Sequence, residues 1–308
     1  MWTESVTPEL IAQSVIAVPP LARNASRAVC RVENTKLIRW IEAGGVSTLL
    51  YGGNAVFYHL RLSEYAEVLS LLRDAAGPKT WVIPSVGPAF GTMMDQVSIL
   101  RDFDFPTVMV LPQKEIADQS GIATGIRLFV EQYGKPIVLY LKHDRWLSPE
   151  IVSALYRDGL ISWIKYAVVL EDTSNDSYLR EILSVTPANM IVSGIGEQPA
   201  IIHLRDFGVG GFTSGCVCIA PARSQAMLRA IQSKNYAIAE EIRQSFRPLE
   251  ELRNGIQPIR VLHHAVAAAG IASTGPMQPM LGELSEPQQS LIETAARSLR
   301  GLEESFTP

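Results

Sequence analysis

Cysteine is scarce. The chain has three, Cys30, Cys216 and Cys218, in 308 residues, an odd number in a chain long enough to fold without staples, so a disulfide framework is not expected. No Cys-x-x-Cys or His-x-x-x-His pattern accompanies them, and Cys216 with Cys218 is too few ligands for zinc. A basic excess is lacking too: 27 lysines and arginines face 31 acidic residues, for a net charge of -4. That balance argues against a nucleic-acid or anionic-membrane partner and leaves small-molecule chemistry or protein contacts. No apolar run reaches the length of a membrane span, and the N-terminus has no basic segment leading into an apolar stretch and a small-residue cleavage site. The expectation is a soluble cytoplasmic protein. Low-complexity segments, long charge runs and sequence repeats are also missing.

What is present is apolar residues, 47% of the chain, enough to bury one large core or two smaller ones. They fall into short, near-continuous runs alternating with amphipathic stretches. Strands are expected at 14–21, 46–51, 80–86, 107–111, 136–142, 161–170, 189–195 and 210–214. Helices are expected at 33–43, from a Ser63 cap to about Gly77-Pro78, then at 91–101, 120–133, from a Ser148 cap onward, 176–183, 197–206 and 221–232. Continuous apolar strands alternating with helices call for a parallel sheet, and eight such units make a (β/α)8 TIM barrel over residues 1–232. Beyond residue 233 the rhythm breaks. Segments 235–253, 258–269 and 286–300 read as helices without strands between them, a C-terminal helical extension over 233–308.

The sixth strand carries Lys165 among apolar, β-branched and aromatic neighbours. An ammonium taken out of water is costly unless it is paired or loses its proton, and a desolvated amine is a nucleophile. Lys165 therefore reads as a Schiff-base lysine for a carbonyl substrate. The competing reading is a packed stem whose head reaches solvent or a carboxylate such as Glu171 or Asp172. In such a barrel the working groups stand at the C-terminal ends of the strands. Those ends are Pro19-Pro20, Gly52-Gly53-Asn54, Ser85 to Gly87, Pro112, Tyr140 to Arg145, Lys165, Gly194 to Gly196 and Gly210 to Gly215. Tyr140 closes strand five, next in order to the lysine strand, and a phenol beside an amine can move the protons of carbinolamine formation and dehydration.

These residues, in this order, resemble the class I aldolase superfamily that includes dihydrodipicolinate synthase and N-acetylneuraminate lyase. The resemblance covers roughly residues 15–232, and the three-helix tail looks similar as well. The family's G-[IV]-K strand resembles Trp163-Ile164-Lys165. Its Y-N-x-P-x-R loop is similar to Tyr140-Leu-Lys-His-Asp-Arg145, with tyrosine and arginine at the same spacing. Leu60 to Glu64 is similar to its L-x-x-x-E, and Gly210 to Gly215 followed by Pro221 to its last-strand G-x-x-S and proline. Ser193-Gly194 stands where the family has a glycine bordering the bound oxo acid. The resemblance implies Lys165 and Tyr140 as catalytic residues, and Gly53, Asn54, Arg145, Gly194 and Ser214 as substrate-binding residues. It further implies a 2-oxo acid substrate, aldol cleavage, condensation or dehydration, a homotetramer, and no metal or organic cofactor, since the imine is the electron sink.

The chain departs from that pattern in places. Gly52-Gly53-Asn54-Ala55-Val56 replaces G-T-T-G-E or G-S-T-G-E, removing the paired hydroxyls. Gln113 and Lys114 stand where the synthases place a tyrosine, and Leu141-Lys142-His143 replaces the Asn-x-Pro. These changes point away from a lysine-pathway synthase, and the Phe57-Tyr58 pair resembles the branch that dehydrates keto-deoxy sugar acids. Lys142 reads as a rim charge, His143 as an exposed loop histidine, and His59, His203, His263 and His264 as packing or surface residues. Two rival readings remain: a barrel that has lost catalysis and serves as a ligand-binding or partner protein, and a phosphate-binding barrel using the glycine-rich run at 208–215.

Overall fold

Eight parallel strands hydrogen-bond in chain order and the last pairs with the first, which closes the barrel. The structure is a computed structural model that describes residues 1–306. In chain order the elements are α1 (Pro8–Ile11), β1 (Ile16–Ala17), α2 (Arg31–Ala43), β2 (Thr48–Tyr51), α3 (Leu62–Ala75), β3 (Trp81–Val86), α4 (Phe90–Leu100), β4 (Met109–Val110), α5 (Gln119–Tyr133) and β5 (Ile137–Leu141). They continue with α6 (Pro149–Arg157), β6 (Ile161–Tyr166), α7 (Ser177–Leu183), β7 (Ile191–Ser193), α8 (Ala200–Asp206), β8 (Gly211–Ser214) and α9 (Pro221–Gln232). The tail supplies α10 (Tyr236–Gly255), α11 (Pro258–Ala268) and α12 (Glu286–Glu304). The strands are buried almost throughout, as a parallel sheet covered by helices requires, which is why their sequences read as unbroken apolar runs.

Alternation along each strand decides what faces the barrel interior and what faces the helices. Tyr140 of β5 sits in register with Lys165 of β6, and Lys165 with Val192 of β7. The next residue along points outward: Tyr166 donates its hydroxyl to Asp176 at the start of α7, and the Ser193 hydroxyl meets His203 Nδ1 of α8 at 2.8 Å. The His203 ring is buried there, so it is a packing residue.

Local rules account for several helix starts. Ser148 accepts from the Ile151 amide with Pro149 at the first helical position, and Asp176 accepts from the Leu179 amide. Ser63 does not cap α3. The helix begins at Leu62 with Arg61 as its flanking residue, so Ser63 is already inside the first turn. Strand six is also shorter than its apolar run, ending at Tyr166 rather than 170. Apolar character continues because Ala167 and Val168 are buried in the loop. Lys165 thus stands at the C-terminal end of its strand rather than in its middle.

The C-terminal helices are packed into the barrel wall. Glu303 of α12, 7% exposed, accepts from the Ala222 and Arg223 amides at 2.7 and 3.1 Å, filling the electropositive N-terminus of α9. The helix start that follows the glycine-rich 208–215 run is thus occupied by a carboxylate of the chain itself. Glu303→Ala leaves two part-buried donors unpaired. It should lower stability by about 1.5–3 kcal/mol, read as a lower urea midpoint at unchanged m-value.

Candidate active site

A cavity of 230 Å³ opens at the C-terminal ends of the strands. It is smaller than a drug-sized pocket and suited to a small metabolite. A larger groove of 570 Å³ lies on the outer surface around α4 and α5, but its lining is mostly apolar and Asp118 is its one ionisable side chain. The chemistry is in the smaller cavity, where Gly53, Asn54, Tyr58, Tyr140, Lys165 and Gly194 meet.

Lys165 is 5% exposed, and its ammonium lies 4.6 Å from the centroid of the Tyr140 ring. Among the described residues no carboxylate pairs with it: Glu171 and Asp172, the partners the sequence offers, are not part of the cavity lining. Burial, helped by the positive charges of Lys142 and Arg253, pushes the Lys165 amine down to about 7. Burial drives the Tyr140 phenol the other way, well above its ordinary range, so it stays protonated and available as a donor. Gly194 makes room for the lysine. A Cβ there would lie 2.6 Å from Ala167 Cβ, 2.8 Å from the Tyr166 carbonyl oxygen and 3.1 Å from Lys165 Cγ.

The turn after β2 is built differently from the hydroxyl-bearing turn it resembles. Val56 donates to the Gly53 carbonyl and Phe57 to the Gly52 carbonyl, at 2.9 and 3.1 Å. Val56 takes a left-handed conformation, φ 57°, which costs a β-branched residue about 1–3 kcal/mol. The amides of Gly53, Asn54 and Ala55 donate to no backbone carbonyl. Asn54 spends one amide hydrogen on the Val18 carbonyl at 2.8 Å, which pins the side chain and leaves its other hydrogen free.

Two residues assigned to substrate binding from the sequence are elsewhere. Arg145 lies outside the cavity lining, half exposed, with both guanidinium nitrogens 2.6 Å from the Glu181 carboxylate. The spacing from Tyr140 is kept, but Arg145 adopts φ 50° in a loop that carries it to α7. Ser214 is buried on the outer face of β8, donating to Glu197 at 2.7 Å. Its neighbour Thr213 is the one that faces the cavity, as strand alternation dictates. Lys142 stands at the rim, 5.6 Å from the Tyr58 ring centroid, and Tyr58 lines the cavity. Cys216 and Cys218 are buried, and burial pushes both thiols up, away from the reactive thiolate.

Sequence reasoning missed Arg253, Asn254 and Gln257, which enter from the joint between α10 and α11. A signal was present. Ala239, Ile242, Phe246 and Leu249 form the buried stripe of α10, and Arg253 is the next position on it, a charge where an apolar residue belongs.

Over 301 residues the chain is 22% identical to a "Probable 5-dehydro-4-deoxyglucarate dehydratase" of Pseudomonas syringae pv. syringae (strain B728a), covering 92% of this chain and 94% of that protein. It is 24% identical over 199 residues to a 4-hydroxy-tetrahydrodipicolinate synthase of Exiguobacterium sibiricum, covering 63% and 65%. The crystal structure of dihydrodipicolinate synthase from Bacillus clausii superposes with a TM-score of 0.83 at 20% identity, covering 94% of this chain and 98% of that one. Residues 13–298 match the pattern of the Dihydrodipicolinate synthetase family. The barrel with its helical tail and the match along almost the whole chain thus have one origin: the protein belongs to the dihydrodipicolinate synthetase family and is a lyase of the class I aldolase type.

Proposed function

We propose that the protein is a Schiff-base-forming lyase acting on a 2-oxo acid. The observation that carries this reading is the buried Lys165 amine facing a cavity that contains no carboxylate to hold its charge. The neutral amine attacks the 2-oxo carbon to give a carbinolamine. Loss of water then leaves an iminium, whose positive nitrogen accepts the electron pair released when a bond at the neighbouring carbon breaks. Tyr140, with its ring against the amine, supplies the proton to the departing hydroxyl and recovers it on hydrolysis. The free amides of Gly53 and Asn54, with Asn54 anchored on Val18, orient the carboxylate.

Of the two outcomes open to such an iminium, carbon–carbon cleavage and water loss, dehydration of a keto-deoxy sugar acid is the better supported. The relative named as a dehydratase matches over nearly its whole length, and Tyr58 of the Phe57-Tyr58 pair lines the cavity. This reading takes the protein as a cytoplasmic homo-oligomer, a tetramer by family resemblance. No helix among the described residues is long and apolar enough to cross a membrane.

Incubation with pyruvate followed by cyanoborohydride should add the mass of one reduced adduct to wild type and none to Lys165→Met; an adduct on Lys142, or none, overturns the assignment. The initial trapping rate should climb with pH through about 7, as the amine loses its proton, and level off above it. Tyr140→Phe should still form the adduct but turn over about 10²–10⁴ times more slowly. Stability carries the same signature. Because the native pKa of Lys165 lies below 10.5, the unfolded chain binds the extra proton between about pH 7 and 10.5, so this residue's penalty on folding is greatest at pH 7 and below and fades as pH rises. Lys165→Met should therefore raise Tm most at pH 7 or lower, with the gain vanishing near pH 10.5.

A further inference from the structure

Three cationic side chains, Lys142, Lys165 and Arg253, line the cavity and no carboxylate does. The chain as a whole carries more acid than base, so this concentration is local. Lys165 is near its neutral form at physiological pH and Lys142 sits at the rim. Arg253 cannot lose its charge.

The Arg253 guanidinium is partly buried and, although Glu250 and Glu197 lie near enough to favour its charge, it forms no ion pair with a carboxylate of the described residues. A Cβ on Gly215 would lie 2.8 Å from its Nη2, so the glycine is what lets it lie against the end of β8. Its other neighbours are the Cys216 sulfur at 3.9 Å, a weak acceptor, and the Pro258 carbonyl at the long distance of 3.5 Å. The carboxylates nearest in the chain's own wall, Glu197 and Glu250, make their hydrogen bonds to other groups, and one Glu250 oxygen is buried with no partner at all. Glu197 accepts from Ser214 and Ser224, each at 2.7 Å, and Glu250 accepts from the Glu197 amide at 2.8 Å. A partly desolvated charge gains from a hydrogen-bonded partner, and Arg253 lines the cavity. The Gly53 and Asn54 amides already account for the carboxylate beside the reacting carbonyl.

We propose that Arg253 binds a second anionic group at the end of the substrate remote from the carbonyl, so that the preferred substrate is a dianion. The inference rests on the Schiff-base reading for its account of the first carboxylate. A planar fork of donors suits a carboxylate or a phosphate, each bound bidentately. Arg145, in the loop where the sequence placed the binding arginine, takes no part.

The test compares ligands of one chain length that differ only at the far end: 2-oxoadipate, 2-oxohexanoate, and the corresponding 2-oxo acid ending in a phosphate ester. Half-saturation for cyanoborohydride trapping should be about 10–100-fold lower for at least one of the two ligands with an anionic far end than for 2-oxohexanoate, as expected for a charge-assisted pair. Whichever of the two saturates first identifies the group. Arg253→Met should bring the half-saturation of all three ligands together, while the slower trapping that follows from losing a positive charge beside Lys165 falls on pyruvate and on all three ligands alike; Arg253→Lys should keep part of the preference, and Arg145→Ala all of it. Equal half-saturation in wild type, or a preference that survives in Arg253→Met, overturns the proposal while leaving the imine reading intact. If no 2-oxo acid is trapped, the imine reading fails, and thermal shift with the same ligands still decides for Arg253. A larger shift for a dianion that Arg253→Met abolishes supports it, and equal shifts overturn it.

Discussion

The cost of removing one ammonium from water governs the architecture of this site. Lys165 is held at the end of β6 with apolar neighbours on its strand and other cations at its cavity, so the protein stabilises the neutral amine by making the charged one expensive. An ion pair with a nearby carboxylate would have been the ordinary solution for stability, and it would have held the amine in its charged form. The surrounding details follow from this choice. Gly194 leaves no Cβ to push on the lysine stem, Tyr140 lays its ring against the nitrogen, and the acidic residues near the mouth turn toward serines, amides and arginines outside the cavity.

The tail takes part in the same arrangement. Glu303 closes the start of α9, Glu250 receives the Glu197 amide, and one turn further along α10 Arg253 reaches the cavity. A helical segment that looks like an appendage when read along the chain is therefore a wall of the site. It is tied to barrel elements by buried and part-buried hydrogen bonds, each joining residues more than fifty positions apart.

The barrel was legible because burial on both faces of a parallel strand leaves a continuous apolar run, and because Ser148-Pro149 and Asp176 carry their helix starts in their own chemistry. Lys165 was legible because a lysine in such a run has a cost that demands an explanation. Arg145 and Ser214 were misread for related reasons. Spacing from Tyr140 says nothing about which way a loop turns, and a left-handed residue sends this one toward Glu181. A motif serine at the end of a strand can face either side, and only the register of β8 decides that Thr213 looks in and Ser214 looks out.

By itself the sequence determined the class of fold, the order of its elements and the identity of its one anomalous lysine, since hydrophobic periodicity and the cost of a buried charge are properties of short stretches. Which charges share the cavity was decided only by tertiary structure. Closing the ring sets β5 beside β6, and packing α10 across the end of β8 brings Arg253 to the same space as Lys165. That proximity between residues nearly ninety positions apart depends on helix docking and has no counterpart in local pattern.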